Sequence, residues 1–177
     1  MIYIIYVIIL LLLIYLFIEN YKYKKNQKKY IYKLNNLINF GKLLKNKINI
    51  NYYINSLPKD NKPDDDIIQA LYLLQYKYNP NNLNTLTYLD YISTNPSKIA
   101  NTINKKIINI CIDNNINFNS IKYIYIHEVS HVICKEYGHT VLFWKIYNYL
   151  LKECLNLKLI NKYSNNKIYG CNKNVKL

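Results

Sequence analysis

The chain has 177 residues, of which 24 are basic and 10 acidic, for a formal net charge of +14. That length suits a single domain able to bury its own core, and only 3 Gly and 4 Pro exclude collagen-like and Pro-rich classes. Every basic residue is Lys, and Asn, Ile, Lys and Tyr together fill 103 positions. These four residues share A/T-rich codons, so biased coding can account for part of the charge. The charge alone therefore does not indicate a nucleic-acid partner.

The first 18 residues form an apolar run. Residues 1–18 carry no charged side chain and are rich in Ile and Leu. As a helix they would reach roughly 27 Å, close to the hydrocarbon thickness of a bilayer. We predict an uncleaved transmembrane anchor over residues 1–18. A cleaved signal peptide and a buried soluble helix are the alternatives; a signal peptide would need a basic start and a small-residue cleavage site, both of which this segment lacks.

Lysines are concentrated directly after the apolar run, and none precedes it. Residues 1–49 hold nine lysines and one acid, so more than half of the charge excess lies beside the predicted anchor. The positive-inside rule then places the C-terminal part of the chain on the cytosolic side, with these lysines near anionic lipid head groups. Four widely spaced cysteines without a CxxC pair are expected to be free thiols in that reducing compartment: Cys111, Cys134, Cys154 and Cys171.

Residues 19–62 are predicted to form a basic juxtamembrane helix followed by a polar linker. The helix covers residues 21–48, where Leu and Ile recur at loosely helical spacing, and the linker begins at Asn49. The folded domain is assigned to residues 63–177. Its first helix begins at Pro63 and the three aspartates that follow, because proline suits the first turn and acids face the positive end of the helix dipole.

The remainder of the domain combines short extended pieces with two helices, which predicts an α+β fold of mainly helical content. Residues 83–105 are expected to be a loop with short extended segments. Residues 106–113 (KIINICID) are predicted to form a strand, because they are short, β-branched and bounded by Asn. Two helices with capping signals follow: Ile121 to about Tyr137, capped by Asn119 or Ser120 and ended by Gly138, and Val141 to about Leu157, capped by Thr140.

The first of these two helices contains an HExxH sequence, His127-Glu128-Val129-Ser130-His131. Two histidines at i and i+4 project from one helix face, so both imidazoles can bind one tetrahedral Zn²⁺. Glu128 lies about 100° around the helix from His127 and can reach the attacking water without binding the metal, as a general base must. We therefore expect hydrolysis of a peptide bond by zinc-activated water, with Glu128 as the base and then as proton donor to the leaving amine.

A third ligand is expected close by, since all three histidines of the chain lie within residues 127–139. Gly138 allows the chain to reverse after the helix, which predicts that His139 returns to the metal. Glu153 on the next helix is the alternative, because some zincins take a glutamate from that position. The metzincin pattern does not fit, since seven residues separate His131 from His139 and the only Met is the first residue. Three unrelated helix histidines would be the non-functional interpretation.

At this point the sequence HEVSHVICKEYGHTVLFWKIYNYLL resembles the active-site block of WLM/SprT-like zinc metallopeptidases. In that block HExxH is followed by a GH pair, an aromatic residue and a second helix, and Gly138-His139, Phe143 and Trp144 match this ending. Residues 105–171 are more similar still to WLM-like metallopeptidases of large AT-rich DNA viruses, which share a KKI-x-x-C strand. Their C-terminal Tyr-Cys-Gly order differs from Tyr169-Gly170-Cys171 here.

The resemblance implies a single zincin-like metallopeptidase domain with a protein substrate. Together with the apolar run of residues 1–18, this predicts such a domain behind one transmembrane helix, in a viral or host internal membrane. The resemblance also implies His127, His131 and His139 as zinc ligands and Glu128 as the catalytic residue. A membrane-anchored structural protein stabilised by a zinc site is the alternative from another class. A protease acting on DNA-bound proteins is a further one, although a membrane anchor argues against nucleic acid.

Aromatic residues near the site allow weaker predictions. Phe143 and Trp144 are expected to pack against the metal helix rather than to bind substrate, as large aromatics near a turn usually do. An oxyanion stabiliser would have to be a Tyr, a Lys or the zinc itself, because the chain has no Arg. Tyr125 and Tyr137 lie on the predicted site helix, where core or rim positions are equally compatible with the pattern.

Overall fold

The fold combines four helices with two small sheets in the part of the chain that the computed structural model describes, residues 2–51, 62–86, 99–112, 116–162, 167–170 and 173–176. The prediction of a mainly helical α+β chain with one long apolar N-terminal helix is confirmed. In chain order the elements are α1 (Ile2–Lys47), α2 (Asp65–Tyr76), β1 (Leu83–Leu86), β2 (Ala100–Ile103), β3 (Ile107–Cys111), α3 (Phe118–Ile133), α4 (Val141–Asn156), β4 (Lys167–Gly170) and β5 (Lys173–Lys176).

Helix α1 begins as an exposed apolar segment and ends inside the core. An 18-residue window near its N-terminus has a mean hydropathy of 2.3 and none of it is buried, so α1 is long and apolar enough to cross a membrane. A signal sequence would have the same property. The last turns are different, because Leu37, Phe40 and Leu44 are buried in the core. The sequence predicted that the folded domain starts at residue 63. Because the apolar stripe of α1 packs into the core, the packed unit begins earlier, within α1.

Helix α1 approaches the core most closely at Gly41. A Cβ atom there would lie 2.6 Å from the Tyr78 hydroxyl and 3.1 Å from Cβ of Pro80, and it would also meet the Tyr125 hydroxyl. The two tyrosine hydroxyls are hydrogen-bonded to each other and buried, and burial raises the pKa of Tyr125 to about 12. Glycine at position 41 therefore lets α1 lie against a neutral pair of buried tyrosines.

Helix α2 begins at Asp65, two residues after the predicted start at Pro63, and Asp65 and Asp66 lie in its first turn as expected. Asp64 is its N-cap, and the carboxylate accepts a hydrogen bond from the main-chain N–H of Ile67 at 3.2 Å. Lys145 of α4 forms ion pairs with Asp64 at 2.8 Å and with Asp66 at 3.4 Å, while Lys135 reaches Asp66 at 3.1 Å. These pairs join the start of α2 to α4 and to the segment after α3. The hydrogen bond from Lys145 lowers the pKa of Asp64.

The larger sheet has the order β1-β3-β2, with β3 in the centre. Strand β1 is parallel to β3 and β2 is antiparallel to it. Three residues, 104–106, connect β2 to β3. Asn104 and Lys105 have φ of 50° and 51°, and the N–H of Lys106 donates to the carbonyl of Ile103 at 3.0 Å, as in a type I′ β-turn. The strand predicted at residues 106–113 is confirmed as β3. The preceding residues, expected to be mainly loop, contain β1 and β2, and residues 87–98 lie outside the described part.

Helices α3 and α4 carry the predicted site, but both ends of α3 differ from the prediction. Helix α4 begins after Thr140, whose hydroxyl accepts the N–H of Phe143 at 3.3 Å, as predicted. Helix α3 is capped by Asn117 rather than by Asn119 or Ser120, and it ends at Ile133 rather than near Tyr137. The prediction of its end was wrong because Cys134 already has extended backbone angles, φ −76° and ψ 133°. Residues 134–139 therefore leave the helix before the glycine.

The cysteines differ from the prediction at one position. Cys134 and Cys154 are free buried thiols, as expected. Cys111, at the end of β3, is disulfide-bonded, so the expectation of free thiols was wrong for this residue. Cys171 lies outside the described residues. Spacing along the chain did not show this bond, because the sequence has no CxxC pair and disulfide partners are brought together only by tertiary structure.

Candidate metal centre

The three histidine side chains meet beside α3 and α4. Nε2 of His127 lies 2.9 Å from Nε2 of His139, and Nε2 of His131 lies 3.2 Å from the same atom. One ligand atom from each of the three lies within 4.8 Å of the others. Nitrogens that bind one tetrahedral zinc at 2.0–2.1 Å are about 3.3 Å apart. The spacing and the all-imidazole donor set therefore fit a single Zn²⁺ ion.

Local structure explains how these side chains come together. His127 and His131 lie one turn apart on α3, so their rings share a face of the helix. After α3 ends, Gly138 takes a φ of 80°, in the left-handed region that glycine adopts without strain. His139 follows it directly and precedes the cap of α4. Within the described residues, the cluster of possible ligands near the HExxH helix consists of these histidines, and Glu153 is not part of it.

Aromatic rings from α4 enclose the imidazoles. Phe143 is stacked on His131, with ring centroids 4.2 Å apart and planes at 25°. Trp144 is stacked on His139 at 5.6 Å and 26°, while Tyr147 meets the His127 ring edge-on at 5.4 Å. Phe143 is fully buried and Trp144 is 40% exposed. Both therefore pack against the histidines, and these contacts fix the orientation of the rings.

The surroundings of His127 keep its imidazole neutral. Burial, followed by the neighbouring His131 and His139, lowers the pKa of His127 to about 3. A neutral imidazole has a free nitrogen lone pair, which is the form that binds a metal ion. The cluster is therefore ready to bind a cation without first losing a proton from His127.

Strand β2 of the larger sheet hydrogen-bonds to the side chain of Glu128. This side chain is only 5% exposed. The hydroxyl of Thr102 on β2 lies 2.7 Å from Oε2 of Glu128, to which it donates, and 3.1 Å from the main-chain oxygen of the same residue. Sequence reasoning missed Thr102, because the two residues are 26 positions apart and only the packing of β2 against α3 joins them.

The sequence left open whether Tyr125 and Tyr137 are core or rim residues, and the structure places them differently. Tyr125 is fully buried beneath α1, whereas Tyr137 is 80% exposed at the rim. Tyr147 was not considered, although its ring touches His127. Its hydroxyl is buried without a hydrogen-bond partner in the described part of the chain, and burial raises its pKa. Tyr125 is thus a core residue, and a phenol beside the histidines comes from α4 instead.

Comparison with known proteins gives one partial relative. No protein-family model matches the chain, and no solved structure matches it. Uncharacterized protein 136R of Invertebrate iridescent virus 6 is 38% identical over 68 residues, which correspond to 34% of this chain and 38% of that protein. The chain thus spans well under two thirds of the length of this relative. The match shows that part of the chain is similar to a viral protein.

Proposed function

We propose that the chain is a membrane-anchored zinc metallopeptidase that hydrolyses peptide bonds. The observation that carries this proposal is the convergence of three Nε2 atoms at 2.9 and 3.2 Å beside a buried glutamate on the same helix. Three protein ligands with a remaining position are typical of catalytic zinc sites, whereas structural sites are closed by four ligands. In the described part of the chain the cluster offers three, and His139 is exposed to solvent.

Each side chain of the cluster has a distinct role in this proposal. His127, His131 and His139 would hold the zinc ion. When bound, zinc lowers the pKa of a water toward neutrality and polarises the substrate carbonyl. Glu128 accepts the proton of the attacking water and then donates it to the leaving amine nitrogen. Thr102 keeps the carboxylate in place through its hydrogen bond at 2.7 Å, so the base is already oriented before substrate binds.

The proposal includes a membrane location. The exposed apolar part of α1 would cross the bilayer, and the lysines that follow would contact anionic head groups. Their position favours a cytosolic domain, whereas the disulfide at Cys111 is typical of an oxidising compartment. Protease treatment of sealed membrane vesicles distinguishes the two. Digestion of the C-terminal domain without detergent indicates the cytosolic side, and protection indicates the lumenal side.

The catalytic proposal is tested with the full chain purified in detergent. We expect one equivalent of zinc by elemental analysis and hydrolysis of an unfolded protein such as casein. Glu128→Gln should keep the zinc and lose the hydrolysis, because Glu128 is a base and not a ligand. Glu136→Gln is the matched control, since it makes the same charge change in the segment after α3.

Two other outcomes have separate meanings. A protein that binds no zinc would refute the metal centre. Zinc at one equivalent without hydrolysis of any protein, together with a loss of thermal stability in His139→Ala, would instead support the structural zinc site.

A further inference from the structure

The turn between β2 and β3 lies against the segment that carries His139. The ammonium group of Lys105 donates hydrogen bonds to the main-chain carbonyls of Cys134 at 2.6 Å and Glu136 at 2.8 Å. The same nitrogen lies 4.1 Å from the centroid of the Tyr137 ring. One side chain therefore contacts three of the five residues between the end of α3 and His139.

These carbonyls need an external donor. Cys134 is the C-cap of α3 and has extended backbone angles, and Glu136 lies beyond it, so neither carbonyl can accept a hydrogen bond from a continuing helix. Within the described part of the chain, the backbone–backbone hydrogen bonds outside helices and strands include none formed by residues 135–139. A lysine ammonium has three N–H donors, so Lys105 can supply two carbonyls of this segment at once.

The turn itself does not explain a lysine at this position. Lys105 has a φ of 51°, and the second central position of a type I′ turn favours glycine. The side chain therefore occupies a backbone conformation that is unfavourable for it. Its contacts with the segment after α3 give a reason for its presence there.

We propose that Lys105 is a positioning residue for the metal ligand His139. Its ammonium holds the backbone of residues 134–136, and this fixes the path by which the next residues return to His127 and His131. The inference rests on the metal centre proposed above and concerns how that centre is assembled. Sequence reasoning could not find it, because Lys105 is 29 and 31 positions from the carbonyls that it contacts.

The test compares zinc affinity among variants of the full chain in detergent, measured by competition with a chromophoric chelator. Lys105→Met removes the ammonium and keeps a long apolar side chain. Lys106→Met is the matched control, because it makes the same charge change at the adjacent exposed position. Lys105→Gly also removes the ammonium, but glycine adopts the left-handed backbone conformation without strain. It therefore separates the effect of the lost hydrogen bonds from the effect of strain in the turn.

We expect Lys105→Met and Lys105→Gly to bind zinc about 10-fold more weakly than the unsubstituted chain. This is the lower end of the loss in metal affinity that follows from removing a residue that holds a metal ligand in place. Lys106→Met should stay within about twofold of the unsubstituted chain. Because Lys105 acts through one ligand, Lys105→Met should cause no further loss of affinity in a His139→Ala background. A residue that only stabilises the fold would lower affinity in both backgrounds.

The outcomes separate this proposal from the proposed function. Unchanged zinc affinity in Lys105→Met, or the same loss with and without His139, would overturn the positioning role while leaving the metal centre intact. A chain that binds no zinc would overturn both. Zinc binding that depends on Lys105, in a protein without proteolytic activity, would support the positioning role and contradict the enzyme.

Discussion

Replacing Thr102 with valine removes the hydroxyl that donates to Glu128 and changes little else. Valine has nearly the shape of threonine and suits a strand as well, so no cavity is created. The lost hydrogen bond is short, at 2.7 Å to Oε2, and the carboxylate that accepts it is 5% exposed. The substitution therefore tests whether β2 holds the proposed general base.

The size of the effect follows from this geometry. A hydrogen bond to a charged group contributes about 1.5–3 kcal/mol net, so the free energy of unfolding should fall by about that amount at neutral pH. A carboxylate that is less firmly oriented is also a poorer base. Since about 1.4 kcal/mol corresponds to a factor of ten in rate, we expect kcat/KM to fall by about tenfold or more. Zinc affinity should not change, because Glu128 is not a ligand.

The assay combines casein hydrolysis, chemical denaturation and zinc titration on the same preparations. Thr102→Ser is the matched control, since it keeps the hydroxyl and should retain most of the activity. Wild-type kcat/KM and stability in Thr102→Val would refute the role of this hydrogen bond. Equal impairment in the serine variant would also refute it, because the loss would then come from the missing methyl group.

Three further outcomes check other parts of the structure. In chemical denaturation, Gly41→Ala should lower the free energy of unfolding by about 1–3 kcal/mol, because the added methyl group is overpacked against the two tyrosine hydroxyls. Helix propensity alone would instead raise the free energy of unfolding by about 1 kcal/mol. Lys42→Ala, at an exposed position of α1, is the control. Trp144 is the single Trp of the chain and is stacked on His139, so its fluorescence should change on zinc titration and level off at one equivalent, and an unchanged signal would contradict that contact. A reducing agent should lower the free energy of unfolding of the wild type and of Cys154→Ser by about 2–4 kcal/mol, and it should leave that of Cys111→Ser unchanged. Equal sensitivity of all three proteins to the reducing agent would argue against the disulfide.

Much of the candidate site could be predicted from the sequence because its geometry is local. The i and i+4 spacing of His127 and His131 determines their relation as soon as the segment is helical. Asp64 caps α2 and Thr140 caps α4 through hydrogen bonds to residues three positions away, so a short window contains the whole signal. The apolar run at the N-terminus is likewise recognised from length and composition alone.

Tertiary structure decided which residues support that site. Thr102 reaches Glu128 and Lys105 reaches the segment before His139 only because β2 and its turn pack along α3, and no spacing rule connects positions so far apart. The end of α3 was mispredicted for a related reason, since capping patterns describe local preference while the carbonyls after Ile133 are held by a distant lysine. The sequence alone thus predicted the candidate ligands, His127 and His131 through helical periodicity, and long-range packing determined how the cluster is held.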